Sequence, residues 1–108
     1  MNDDNEAKKR LHNILKNLIK LTKKGDIVGF KKLNMVYSSL MTDTFGKKTL
    51  ENGEGWEWNY ARNQLAAVLN LKEVFEKDKI NKKEYNNMTY SAWIKALDEF
   101  KALKRYLR

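Results

Sequence analysis

The 108-residue chain has no cysteine, no proline, one histidine and only five glycines. Without cysteine there is no disulfide scaffold, no thiolate zinc site and no thiol nucleophile. The single histidine, His12, excludes a paired-histidine metal site within one chain. Long hydrophobic runs are also missing. The apolar residues between Leu11 and Leu21 are broken by Lys16, Asn17 and Lys20. Nothing approaches the roughly 20 apolar residues of a membrane span, and no secretory core is visible. The first residues, Met1 to Glu6, are acidic where a secretory signal is basic. A cytoplasmic location is the expectation.

Chemistry is equally sparse. No phosphate-binding glycine loop, dinucleotide fingerprint or nucleophile elbow occurs. His12 falls at the border of an apolar stripe, and general-base work needs an orienting partner and a pocket. The neighbouring acids Asp3-Asp4 and Asp98-Glu99 diverge around a helix instead of converging on one point. The sequence therefore predicts a non-enzymatic chain with no metal and no cofactor.

What is present is helical periodicity. The length fits one domain, 1–108, and 42% hydrophobic residues with 12 aromatics suffice for a core. A first helix is expected from about Asp4 to Lys24, with Ala7, Leu11, Ile14, Leu15, Leu18 and Leu21 on one stripe. Gly25 stands where a C-terminal cap belongs, and Asp26 caps a second helix from Ile27 to about Thr44. Its expected apolar face is Ile27, Phe30, Leu33, Val36, Tyr37, Leu40 and Met41. A glycine-rich loop, 46–55, follows. The third helix is expected from Trp56 to Lys77, with Trp58, Ala61, Leu65, Val68 and Leu69 facing inward. Asn81 and Glu84 form a capping-box-like start to a fourth helix, from about Lys82 to Tyr106, with Thr89 as a point of interruption. Its expected stripe is Tyr90, Trp93, Ile94, Leu97, Phe100, Leu103 and Leu107, with Ala92 and Ala96 on the same side. The fold class is an all-α bundle of about four helices.

The net charge of +8 is uneven. Residues 1–45 and 81–108 carry +4 each, and the middle is neutral. From Ala7 to Lys24 there are seven Lys/Arg and no acid. Lys9, Lys16, Lys20, Lys23 and Lys24 share an arc of roughly 100° opposite the apolar stripe. Lys31, Lys32, Lys101, Lys104, Arg105 and Arg108 extend the count. An unopposed lysine stripe is the footprint expected for nucleic-acid phosphates, DNA or RNA. The same stripe also fits an acidic protein surface or a merely solvated face.

A second cluster follows the loop. Trp56, Tyr60 and Arg62 are residue types that dominate binding hot spots, and they sit off the register of the inward-facing Trp58. This edge supports an alternative reading as a protein-binding module: an inhibitor, an immunity factor or a small assembly subunit. Lysine outnumbers arginine 18 to 4 and asparagine occurs 12 times. Both have A-rich codons, which points to an AT-rich genome such as a low-GC bacterium, its phages or its plasmids.

Overall fold

Helix-breaking residues are rare, and the helices run long. In the computed structural model, which describes residues 2–46 and 55–107, the order is α1 (Asn2–Lys24), α2 (Ile27–Phe45), α3 (Trp56–Glu76) and α4 (Lys82–Ala102). A 3₁₀ turn, Leu103–Tyr106, closes the described chain. No strand occurs among the described residues. Residues 47–54, most of the glycine-rich segment, lie outside them.

The junctions follow from the caps. Gly25 adopts φ +69 and ends α1. Its N–H donates to Thr22 O and that of Asp26 to Leu21 O, both at 3.0 Å. These are the two bonds of a Schellman motif, which satisfies carbonyls the helix end leaves free. One residue later the Asp26 carboxylate accepts from Gly29 N at 2.9 Å and starts α2. Asn81 does the same for α4, accepting from Glu84 N at 2.8 Å while its amide donates to the Glu84 carboxylate. Tyr85 in that first turn stacks on Phe75 of α3, with ring centroids 4.4 Å apart.

The core sits where all four helices meet. α1 supplies Leu11, Leu15 and Leu18, α2 supplies Phe30, Tyr37 and Met41, and α3 supplies Trp58, Ala61, Leu65 and Leu69. Burying each large side chain contributes about 1.5–3 kcal/mol. α4 offers its smallest residues, Ala92 and Ala96, and Leu103 closes the end. That alanine ridge lets α3 and α4 approach closely, and they form the most intimate pair; α1 with α2 is the next.

Four details differ from the periodicity. Tyr90 was expected in the α4 stripe but is 68% exposed. The ridge that meets α3 is Ala92 and Ala96, and at about 100° per residue Tyr90 points nearly the opposite way. Val36, expected on the α2 core face, is half exposed because Tyr37, roughly 100° further round, takes the inward position. Thr89 does not interrupt α4, whereas the last turn tightens to 3₁₀ at Leu103 instead of continuing as α-helix to Tyr106. The described chain is elongated, 48 × 25 × 24 Å, with a radius of gyration of 14.6 Å against about 13 Å for a round domain of this length.

Candidate functional site

The lysine stripe faces solvent throughout. Lys9, Lys16, Lys20, Lys23 and Lys24 are all exposed on α1, opposite Leu11, Leu15 and Leu18. Among the described residues none of them has an ion-pair partner, and the one salt bridge there joins Arg105 to Glu57. The periodicity therefore produces what the charge count implied, a helix face with several unneutralised cations.

The fold then brings the basic end of the chain to that face. The His12 ring stacks on Phe100 of α4 at 4.3 Å with 13° between planes. Burial holds the His12 pKa below its usual 6.5, and the nearby Lys104 and Lys16 push it the same way against a backbone hydrogen bond at Phe100. The charged form of His12 is thus disfavoured by its burial and by a lysine of α1 and a lysine of the 3₁₀ turn. Its Nε2 is buried and has no hydrogen-bond partner among the described residues. Lys8 Nζ stands 5.7 Å from the centre of the Tyr106 ring, and the Arg105 guanidinium lies 4.8 Å from the same ring. Tyr106 is flanked by two cations, a favourable arrangement for an aromatic face. Lys101 and Lys104 are exposed beside it. Arg108 lies outside the described residues.

The junction is anchored by a carboxylate. Tyr106 donates its hydroxyl hydrogen to Glu57 Oε2 at 2.5 Å, and Arg105 Nη2 lies 3.5 Å from the same oxygen. Glu57 occupies the first turn of α3, where the helix dipole favours negative charge. It ties the last described residues to α3 across a sequence distance that no local pattern reveals. Gly55 makes this start possible. It adopts φ +82, and a Cβ there would come within 2.8 Å of the Phe45 ring.

The aromatic edge divides. Trp56 is 53% exposed and meets Tyr60 edge-on at 6.0 Å. Arg62, expected with them, turns inward. Its Nη1 donates to Asn34 Oδ1 at 2.9 Å and to Ser38 Oγ at 2.8 Å, both on α2. Its Nε donates to Asn63 Oδ1 at 2.8 Å, and Nη2 donates to Asn59 Oδ1. The guanidinium also lies 5.7 Å from the centre of the Tyr37 ring. Four of its five donors are spent on the protein, so Arg62 is a strut between α2 and α3. Below it the buried Tyr37 hydroxyl donates to Trp58 O at 2.8 Å, and burial raises the Tyr37 pKa well above the usual range.

Lys31 and Lys32 are exposed on α2. Lys31 lines a cavity of about 180 Å³ between α2 and α3, with Asn34, Asn70 and Glu73 around it and Phe30 and Leu69 in its floor. Lys32 lies on the outward face of α2. No group of three or more metal-ligating side chains occurs among the described residues, and no described helix is long and apolar enough to cross a membrane. Comparison of the chain with protein-family models, with curated proteins and with solved structures gives no match.

Proposed function

We propose that this chain is a non-enzymatic binding protein that holds nucleic-acid phosphates on the lysine face of α1, continued by Lys101, Lys104 and Arg105. The observation that supports this is the run of seven Lys/Arg and no acid between Ala7 and Lys24, with Lys9, Lys16, Lys20, Lys23 and Lys24 exposed and without an ion-pair partner among the described residues. Lysine is a point charge that positions a phosphate backbone and reads no base edges. The binding is accordingly insensitive to sequence and steeply sensitive to salt. Neutralising four or five phosphates gives a log–log salt slope of about −4 on duplex DNA. The reading places the protein in the cytoplasm of a cell with an AT-rich genome, or in one of its phages or plasmids. Fluorescence anisotropy with labelled duplex DNA and single-stranded RNA between 50 and 200 mM salt tests it. A steep loss of affinity with salt is the expected result. No binding to either at 50 mM salt overturns it.

The alternative is a protein-binding edge at Trp56. The supporting observation is an indole left half exposed against Tyr60 at the start of a helix whose next tryptophan, Trp58, is fully inside. Trp56→Ala then abolishes capture of a partner while the helical circular dichroism is retained. Capture unchanged by Trp56→Ala rules that edge out.

A further inference from the structure

The outward face of α2 is the least expected surface of the molecule. Phe30, Tyr37 and Met41 point into the core, and on the opposite side of the same helix Val28, Met35 and Val36 stand 64, 75 and 52% exposed. Scattered apolar residues on a surface are ordinary, but three at helical spacing on one uncovered face form a patch. Arg10, Met35, Val36, Ser39, Leu40 and Asp43 line one shallow hollow there.

The charges on this helix are placed against its own interest. α2 carries three charged residues, Lys31 and Lys32 towards its N-terminus and Asp43 in its last turn. The helix dipole favours the reverse, acids first and cations last. Lys32 and Asp43 are eleven residues apart, so they share the outward face, separated by about 16 Å along the axis. Met35, Val36, Ser39 and Leu40 lie between them. The face is therefore a strip with a cation at one end, an anion at the other and apolar side chains between.

Such a strip is complementary to itself when turned end for end. We infer that the outward face of α2 is a homodimer interface, in which α2 of one copy packs antiparallel on α2 of a second copy about a two-fold axis that crosses its outer side midway between Lys32 and Asp43. Lys32 of each copy then faces Asp43 of the other, and Met35 of each enters the hollow beside Leu40 of the other. A two-fold interface uses the same patch on both subunits, which is the requirement this strip meets. Antiparallel pairing also sets the two helix dipoles head to tail. Arg10, beside Asp43 on the same hollow, adds a second cation around that carboxylate.

Sedimentation velocity at 150 mM salt, from 5 to 200 μM protein, tests this independently of any nucleic acid. The expected result is a concentration-dependent shift to twice the monomer mass. Met35→Asp returns the chain to monomer with its circular dichroism unchanged, since Met35 has no core role. The decisive set is K32D, D43K and the double exchange. Each single variant puts like charges opposite each other and weakens the dimer at least tenfold. The double exchange restores the opposite-charge pairs, keeps the net charge at +8 and recovers the dimer. General repulsion between basic chains predicts instead that K32D, which lowers the net charge, strengthens association. A wild-type chain that stays monomeric at 200 μM overturns the inference. So does a dimer that survives Met35→Asp, and so does a double exchange no better than either single variant.

Discussion

α1 and α2 are adjacent helices of similar length, each with one face in the same core, and their outer faces are opposites. The outer face of α1 carries Lys9, Lys16, Lys20, Lys23 and Lys24, with no acid between Ala7 and Lys24. That of α2 carries Val28, Met35 and Val36 with charges only towards its ends. Core packing needs the same thing from both helices, so it does not explain the difference. What lies opposite the core is free to be specified by something outside it. A field of unpaired like charge suits a polyanion, whereas an apolar strip with opposite ends suits a copy of itself.

The strongest way to break the comparison is to reverse the α1 field. Lys16→Glu, Lys20→Glu and Lys23→Glu together replace three cations with three anions on one face. The expected loss of affinity for duplex DNA is on the order of a thousandfold at ~100 mM salt, with the salt slope reduced by about three. Anisotropy titrations read both quantities. Helix content is unchanged, because none of the three touches the core.

The next test contrasts inner and outer faces. Leu15→Ala removes a fully buried side chain from α1 and costs about 2–5 kcal/mol in chemical denaturation. Met35→Ala on the outside of α2 costs under about 0.5 kcal/mol in the monomer. A comparable loss at both positions would mean that Met35 is covered within one chain.

These contrasts were legible in the sequence to different depths. The caps at Gly25, Asp26 and Asn81 are local chemistry, and each occupies the position its neighbours dictate. The lysine face needed only helical spacing. The exposure of Tyr90 and Val36 was not legible, because a stripe tells which residues share a side but not which side another helix covers. On α4 the buried positions are Ala92 and Ala96, whose small side chains allow close approach to α3, while Tyr90 points away. Arg62 was misplaced for a related reason: its acceptors, Asn34 and Ser38, lie on a different helix. Glu57 and Tyr106, which fix the basic end of the chain against α3, had no local signal either. The approach of Lys104 to His12 is likewise tertiary, whereas Lys16 is its neighbour one turn along α1.

Cutting the strut between α2 and α3 sharpens the picture at a smaller scale. Tyr37→Phe removes the donor to Trp58 O, a carbonyl that keeps its helical bond within α3, so the expected cost is the net worth of one hydrogen bond, about 0.5–1.5 kcal/mol. Arg62→Met keeps the aliphatic stem but strands the acceptors on Asn34 and Ser38, with an expected cost of about 1 kcal/mol because water reaches this half-exposed site. If Arg62 served a partner instead, Arg62→Met would spare stability and weaken binding.

The smallest effect lies at the seam between the lysine face and α4. His12 has a folded-state pKa below its unfolded value, chiefly through burial and then through Lys104 and Lys16. The unfolded chain therefore binds the proton more readily. The stability that His12 contributes is fully present above its unfolded pKa of about 6.5 and is lost as pH falls through and below that value. The carboxylates begin to titrate below about pH 5, so the window that isolates His12 is pH 7.5 to 5.5. In that interval the melting temperature of the wild-type chain falls, and that of His12→Gln, which keeps a polar side chain but cannot titrate, stays nearly level. An equal fall in both would assign the pH dependence to other groups and detach His12 from the electrostatics of the α1 face.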